Sequence, residues 1–273
     1  MHLLNSLINA LFDLLLSPVA GVSPWVGMTL LAIPATILLL LVFRLVSRPA
    51  SIRRKRNRLM ARVLELVIFK DDAAVSLGAL GRILKANAAY LGMLLIPMAV
   101  ACLPMAVFLV QAYHWFGLRG LEAGETAVAT ARFRPDTRIM QHTVSLAVSP
   151  GLQAETPAVR VPSLREVSWR IRASGAGPGW IDVLVDGKPY RKDLPLGTRL
   201  LRASPRRTRG LLGQVAYPAE PPLPHEAPLD RITIALPERT LRIGNIHFHW
   251  LLVFFVLTMA IGLLLKGPIR VEI

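Results

Sequence analysis

No lysine or arginine precedes Arg44, and the stretch that ends there, residues 25–46 (WVGMTLLAIPATILLLLVFRLV), is almost wholly apolar. At ~1.5 Å of rise per residue such a helix crosses a hydrocarbon layer of ~30 Å. Two further runs repeat the pattern, 91–112 (LGMLLIPMAVACLPMAVFLVQA) and 250–265 (WLLVFFVLTMAIGLLL). With 53% hydrophobic residues the chain is too apolar for an ordinary soluble domain. Its 273 residues leave room for one soluble domain beside three spans.

Charge gives the expected orientation. Residues 44–90 carry 11 lysines and arginines against Glu65, Asp71 and Asp72, a net +8. A short basic loop of this kind stays in the cytoplasm, so the N-terminus is expected outside. Lys266 and Arg270 after the third run put the C-terminus inside. Trp25 and Arg44, and then Tyr113 and Trp115, stand where interface anchors stand. Pro34, Pro97 and Pro104 predict kinks or packed helices. Without a charged n-region, residues 1–18 do not read as a signal peptide. Asn5, Asn9 and Asp13 recur every four residues on an otherwise apolar helix, the pattern of an amphipathic helix in the membrane interface, ended by Pro18.

The basic loop has helical spacing of its own. Leu59, Met60, Val63, Leu64, Val67 and Ile68 form one apolar face, and Leu77, Leu80, Ile83 and Leu84 another. Lys70-Asp71-Asp72 between them offers a cap for the second helix. A cytoplasmic helical hairpin over about 51–90 is expected.

Residues 116–246 change character. Val167, Trp169 and Ile171 alternate with polar neighbours, as do Ile181, Val183 and Val185, and Asp186-Gly187 signals a hairpin with 188–194 as the return strand. Strands are also expected over 125–133, 143–148 and 231–236. Short strands at such intervals predict a β-sandwich. The five prolines between 218 and 228 predict a long extended loop. Cys102 is the single cysteine, so no internal disulfide can staple this domain. The expected fold class is therefore a membrane α-helical protein with an extracytoplasmic β-sandwich. Its parts are an interfacial helix (1–18), two spans with the hairpin (24–115), the β domain (116–246), and a third span with a short tail (247–273).

Chemistry is sparse. No Ser-His-Asp, H-E-x-x-H, C-x-x-C or Walker pattern occurs, and no enzyme activity, cofactor or metal is expected. His247 and His249 would share a strand face, but no third ligand stands nearby, and beside Trp250 they read as interfacial histidines, like His114. Gly175, Gly177 and Gly179 precede a strand rather than a helix and read as a loop, not a phosphate cradle. Arg206, Arg207 and Arg209 form a basic loop, a solvated face or a dock for an acidic partner. Arg53, Arg54, Lys55, Arg56, Arg58 and Arg62 are candidate contacts for anionic lipid or a ribosome. The absence of aromatics between Arg48 and Ile68 argues against other nucleic acid. The spans hold almost no ionisable residue, which disfavours a pump or channel.

An outer amphipathic helix, an N-out span ending at Arg44, a basic hairpin at 51–90 and two further spans together resemble the YidC/Oxa-type insertase superfamily, especially its minimal three-span members. The resemblance covers residues 1–115 and the last span. It implies a groove that helps client helices enter the membrane, with Arg44 as the candidate groove contact and the hairpin receiving client or ribosome. The β domain is an addition to that layout. The function implied is a non-enzymatic insertase-like or assembly factor in a bacterial inner (plasma) membrane, with lipids and other membrane proteins as partners. The alternative is a structural or accessory subunit that binds a partner through its β domain.

Overall fold

The computed structural model describes residues 2–46, 49–68 and 73–269. The chain divides into two compact units, one of residues 1–31 and 109–255, the other of residues 32–108 and 256–273.

Four long helices and one shorter one carry the apolar sequence. These are α1 (His2–Leu16), α2 (Pro24–Val46), α3 (Pro49–Ile68), α4 (Ala73–Ala112) and, at the far end of the chain, the helix Trp250–Ile269. Two stretches, Pro24–Val46 and Leu80–Gly117, are helices long and apolar enough to cross a membrane; Trp250–Leu265 is a shorter apolar helix. The second arm of the expected hairpin and the second apolar run are one helix of 40 residues. Asn87-Ala88-Ala89-Tyr90 contains no stop signal, so nothing separates them. Pro97 and Pro104 lie inside it and cannot donate to the carbonyl four residues back. The Lys70-Asp71-Asp72 cap lies outside the described residues. In the second unit, the buried Thr36 hydroxyl donates to Ala32 O at 2.7 Å and reaches Thr258 O at 3.4 Å. Gly262 lets the helices close up there, since a Cβ on it would stand 3.6 Å from the Thr36 methyl.

The β domain follows a wide helical turn at Tyr113–Gly117. Its strands in chain order are β1 (Thr126–Phe133), β2 (Val144–Val148), β3 (Leu152–Ala154), β4 (Val159–Val161), β5 (Glu166–Ala173), β6 (Gly177–Val185), β7 (Lys188–Leu196), β8 (Arg206–Thr208), β9 (Leu229–Ile234), β10 (Thr240–Ile243) and β11 (Ile246–His249). A short helix, α5 (Leu211–Ala216), lies between β8 and β9, and α6 is Trp250–Ile269. Six strands form one antiparallel sheet in the order β3-β5-β1-β9-β8, with β4 also on β5; β2-β6-β7 form a second sheet and β10-β11 a third. The first two sheets contribute to a single apolar core, because alternate residues of β1, β5 and β6 turn the same way. Small residues meet large ones across it: Ala129 pairs with Trp169 in register, and Trp169 is 3% exposed. Asp186 and Gly187 take φ of 49° and 81°, the left-handed pair of a two-residue hairpin turn.

The last apolar helix starts later than the sequence predicts. Residues 246–249 are a strand paired with β10, Ile243 opposite Ile246, and the helix begins at Trp250. Gly244-Asn245 between two alternating segments is a hairpin turn, and Gly244 has φ 58°. His249 Nδ1 accepts the Leu251 N–H at 3.2 Å and so caps the helix. Gly177 and Gly179 lie in β6, and a Cβ on Gly179 would stand 2.6 Å from Leu194 O, so close strand pairing requires a glycine there.

Trp169→Ala in the detergent-purified chain should lower stability by ~3–5 kcal/mol, the usual cost of emptying a core ring site. Thermal unfolding followed by circular dichroism in the β region measures it. An unchanged melting temperature would put the ring outside the core.

Candidate functional site

α1 turns its polar stripe toward the β domain. Asn5 Nδ2 donates to Gln214 O at 3.1 Å, Asn9 Nδ2 to Pro218 O at 2.7 Å, and Asp13 pairs with Arg202 at 3.3 Å. Gln111 Nε2, at the end of α4, donates to Asn9 Oδ1 at 2.9 Å. The opposite face is bare: Leu7, Leu11 and Leu14 are 69%, 62% and 76% exposed. An amphipathic helix on a soluble protein is oriented the other way. The every-fourth-residue polar pattern is thus met by loop carbonyls of the same chain.

Beneath the helix lies an open cleft of about 540 Å³, with Asn5, Asn9, Asp13, Arg202, Gln214 and Glu220 among its lining residues. A second cleft of about 430 Å³ shares Asp13, Arg202 and Glu220 and reaches Trp180 and Asp193. Several polar atoms here are buried without a hydrogen-bond partner, including Gln214 Oε1, Gln111 Oε1 and Arg202 Nη1. His114 is fully buried, stacks on Tyr217 with centroids 6.0 Å apart, and its carbonyl accepts the Ala203 N–H.

A buried ion pair forms the floor. Lys192 occupies an inward position of β7, between Tyr190 and Leu194, and is fully buried. Its ammonium pairs with Glu220, whose side chain is 6% exposed, and donates to Ser204 O at 2.7 Å and Asp193 O at 3.0 Å. Burial pulls the Lys192 pKa down and pushes that of Glu220 up, and each charge opposes the other's shift. The Asp193 N–H adds a bond to Glu220 at 3.3 Å.

Nearby cations hold backbone oxygens. Arg207 donates to the carbonyls of Pro221 and Pro222 and to Arg191 O, and Arg209 donates to His225 O at 2.9 Å. Arg239, 6% exposed, donates to Leu118 O, Thr198 O and Arg199 O at 2.9–3.2 Å. This corrects the expected basic loop. Arg206 and Arg207 lie in β8, and Arg207 and Arg209 bind the proline-rich segment rather than standing free. Prolines bring carbonyls but no N–H, so the segment needs external donors.

The other residues singled out in the sequence fall as follows. Arg44 is exposed in the last turn of α2. Lys55 and Arg58 on α3 meet Arg82 and Lys85 on α4 around a cleft of about 230 Å³. Arg54 and Arg56 are exposed on α3, and the side chains of Arg53 and Arg62 lie outside the described residues. His247 and His249 are both exposed, and among the described residues no group of three or more His, Cys, Asp or Glu is placed to hold a metal. The sequence reading missed Lys192 and Glu220. The available signal was a lysine on the inward face of an alternating strand, with an acid inside the proline-rich segment.

No protein-family model matches the chain, and no curated protein or solved structure matches it either.

Lys192→Met alone leaves a buried carboxylate unpaired and should cost ~3–5 kcal/mol, as should Glu220→Leu, while the double variant should cost clearly less than the sum. Chemical unfolding of the four proteins in detergent gives the cycle. Additive losses would show that the two charges do not act as a pair.

Proposed function

We propose that this chain is a non-enzymatic integral membrane protein, an assembly factor or accessory subunit that holds its β domain at the outer membrane surface for a partner. The observation that supports it is the inverted α1. Three leucines on one exposed face are costly in water at ~25 cal/mol per Å² and favourable at the acyl boundary of a bilayer, while the polar stripe is satisfied by protein. On this reading α2, α4 and α6 are three transmembrane helices. α3 and the first turns of α4 form the cytoplasmic hairpin, and the two larger sheets form an extracytoplasmic β-sandwich. The N-terminus is outside and the C-terminus in the cytoplasm of a bacterial inner (plasma) membrane. The cleft beneath α1, with Asp13, Arg202 and Glu220, offers both charge signs and unfilled acceptors to a partner's polar side chains.

A second reading, insertase-like in the manner of the YidC/Oxa superfamily, is favoured by the basic hairpin and by Arg44 near the end of α2. The two differ in what is lost when the protein is removed. Affinity purification in mild detergent should recover one recurring complex, and depletion followed by a proteomic survey of membranes should reduce that complex alone. Arg44→Ala should leave it intact. A broad loss of unrelated membrane proteins, reproduced by Arg44→Ala and not by Arg44→Lys, would replace the subunit reading with the insertase one.

A further inference from the structure

The cleft between α3 and α4 holds more positive charge than a topology signal needs, and holds it in one place. Lys55 and Arg58 are three residues apart on α3, and Arg82 and Lys85 three apart on α4, so each helix presents a like-charge pair on one face. Like pairs at that spacing are destabilising. Here the two pairs face the same cleft of about 230 Å³, whose other described lining is Ala86 and Ala89. Lys55 Nζ reaches Ala89 O at 3.4 Å, and no carboxylate is among the described lining residues. The arrangement is complete only with an anion.

We propose that this cleft binds the phosphate of an anionic phospholipid headgroup. The proposal rests on the reading that α4 crosses a bilayer. Its apolar run opens at Leu91, six residues after Lys85, so the cations stand ~9 Å along the axis from the hydrocarbon edge. That is close to the depth of a headgroup layer, ~5–8 Å on each side of a ~30 Å core. Apolar side chains flank the charges: Met60 and Leu64 on α3 are 57% and 59% exposed, and Leu84 on α4 is 61% exposed. A lipid satisfies both features, phosphate to the cations and acyl chain to the leucines. RNA satisfies only the first, and no aromatic ring is among the described lining residues to stack a base.

The test uses the full chain purified in neutral detergent and a fluorescent phosphatidylglycerol, with phosphatidylcholine for comparison and inorganic phosphate and a short RNA as competitors. Phosphatidylglycerol should bind at least about tenfold tighter than phosphatidylcholine, and Arg58→Gln/Lys85→Gln should weaken it about tenfold, at ~1 kcal/mol for each charge removed. Arg54→Gln/Arg56→Gln removes equal charge beside the cleft and should change affinity far less. Arg58→Lys/Lys85→Arg should retain binding, which separates a lost site from a misfolded protein. Equal losses in the two Gln pairs, displacement by inorganic phosphate at matched concentration, or tighter binding of the RNA would each overturn the site. Carbonate extraction of cell membranes keeps the two levels apart: a chain released by carbonate defeats the membrane reading, whereas a retained chain without lipid preference defeats this site alone.

Discussion

Backbone carbonyls between the strands have no ladder to join, and buried cations take the place of one. Lys192, Arg207, Arg209 and Arg239 each donate to main-chain oxygens of irregular segments, and Arg160 does the same for Ile139 O and His142 O at 3.0 Å. Without those donors the carbonyls of Pro221 and Pro222 would be desolvated at a cost of ~1–3 kcal/mol each. Only one of the cations just named, Lys192, has a buried carboxylate as partner, because neutral dipoles suffice for the rest. A large part of the chain's +15 charge is therefore internal scaffolding of the β domain rather than a surface for nucleic acid.

The same loops receive α1. Gln214 O and Pro218 O, both in the stretch that follows β8, accept from Asn5 and Asn9. Position and polarity of the helix are thus set by the segment that the cations hold in place. The consequence is an apolar face of α1 turned away from the protein. On the proposed reading this face meets lipid, and the domain is fastened to the bilayer surface by a helix it shapes itself. At the other end of the apolar helices, the basic cleft between α3 and α4 fastens the hairpin to headgroups. Both attachments work by the same division, apolar side chains to acyl chains and polar groups to whatever can answer them.

Much of this was legible in the sequence, and the failures have identifiable causes. The alternation of Val167, Trp169 and Ile171 with polar neighbours located β5 and its inward face, and Asp186-Gly187 located the β6–β7 turn. The apolar runs located α2, α4 and α6. The β10–β11 hairpin was hidden because Phe248 and Ile246 continue the hydrophobicity of the helix that follows, and only Gly244-Asn245 marks the turn. The unity of α4 was hidden by its change from basic to apolar composition, which alters surroundings and leaves backbone preference untouched. The buried Lys192–Glu220 pair joins residues distant in sequence, so strand alternation flags the lysine and nothing local names its partner. The roles of Arg206, Arg207 and Arg209 were misjudged for a related reason: a guanidinium that donates to carbonyls looks, in sequence, like one that meets water.

Central to the account is that the β domain and the basic hairpin lie on opposite faces of a membrane. Two exposed positions report on it, Asn57 in α3 and Ser163 in the turn between β4 and β5. In a Cys102→Ala background, Asn57→Cys and Ser163→Cys are treated with a membrane-impermeant maleimide in intact spheroplasts and again after lysis. Ser163→Cys should label in intact cells and Asn57→Cys only after lysis. Labelling of Asn57→Cys in intact cells with Ser163→Cys protected, or labelling of both, would contradict the account.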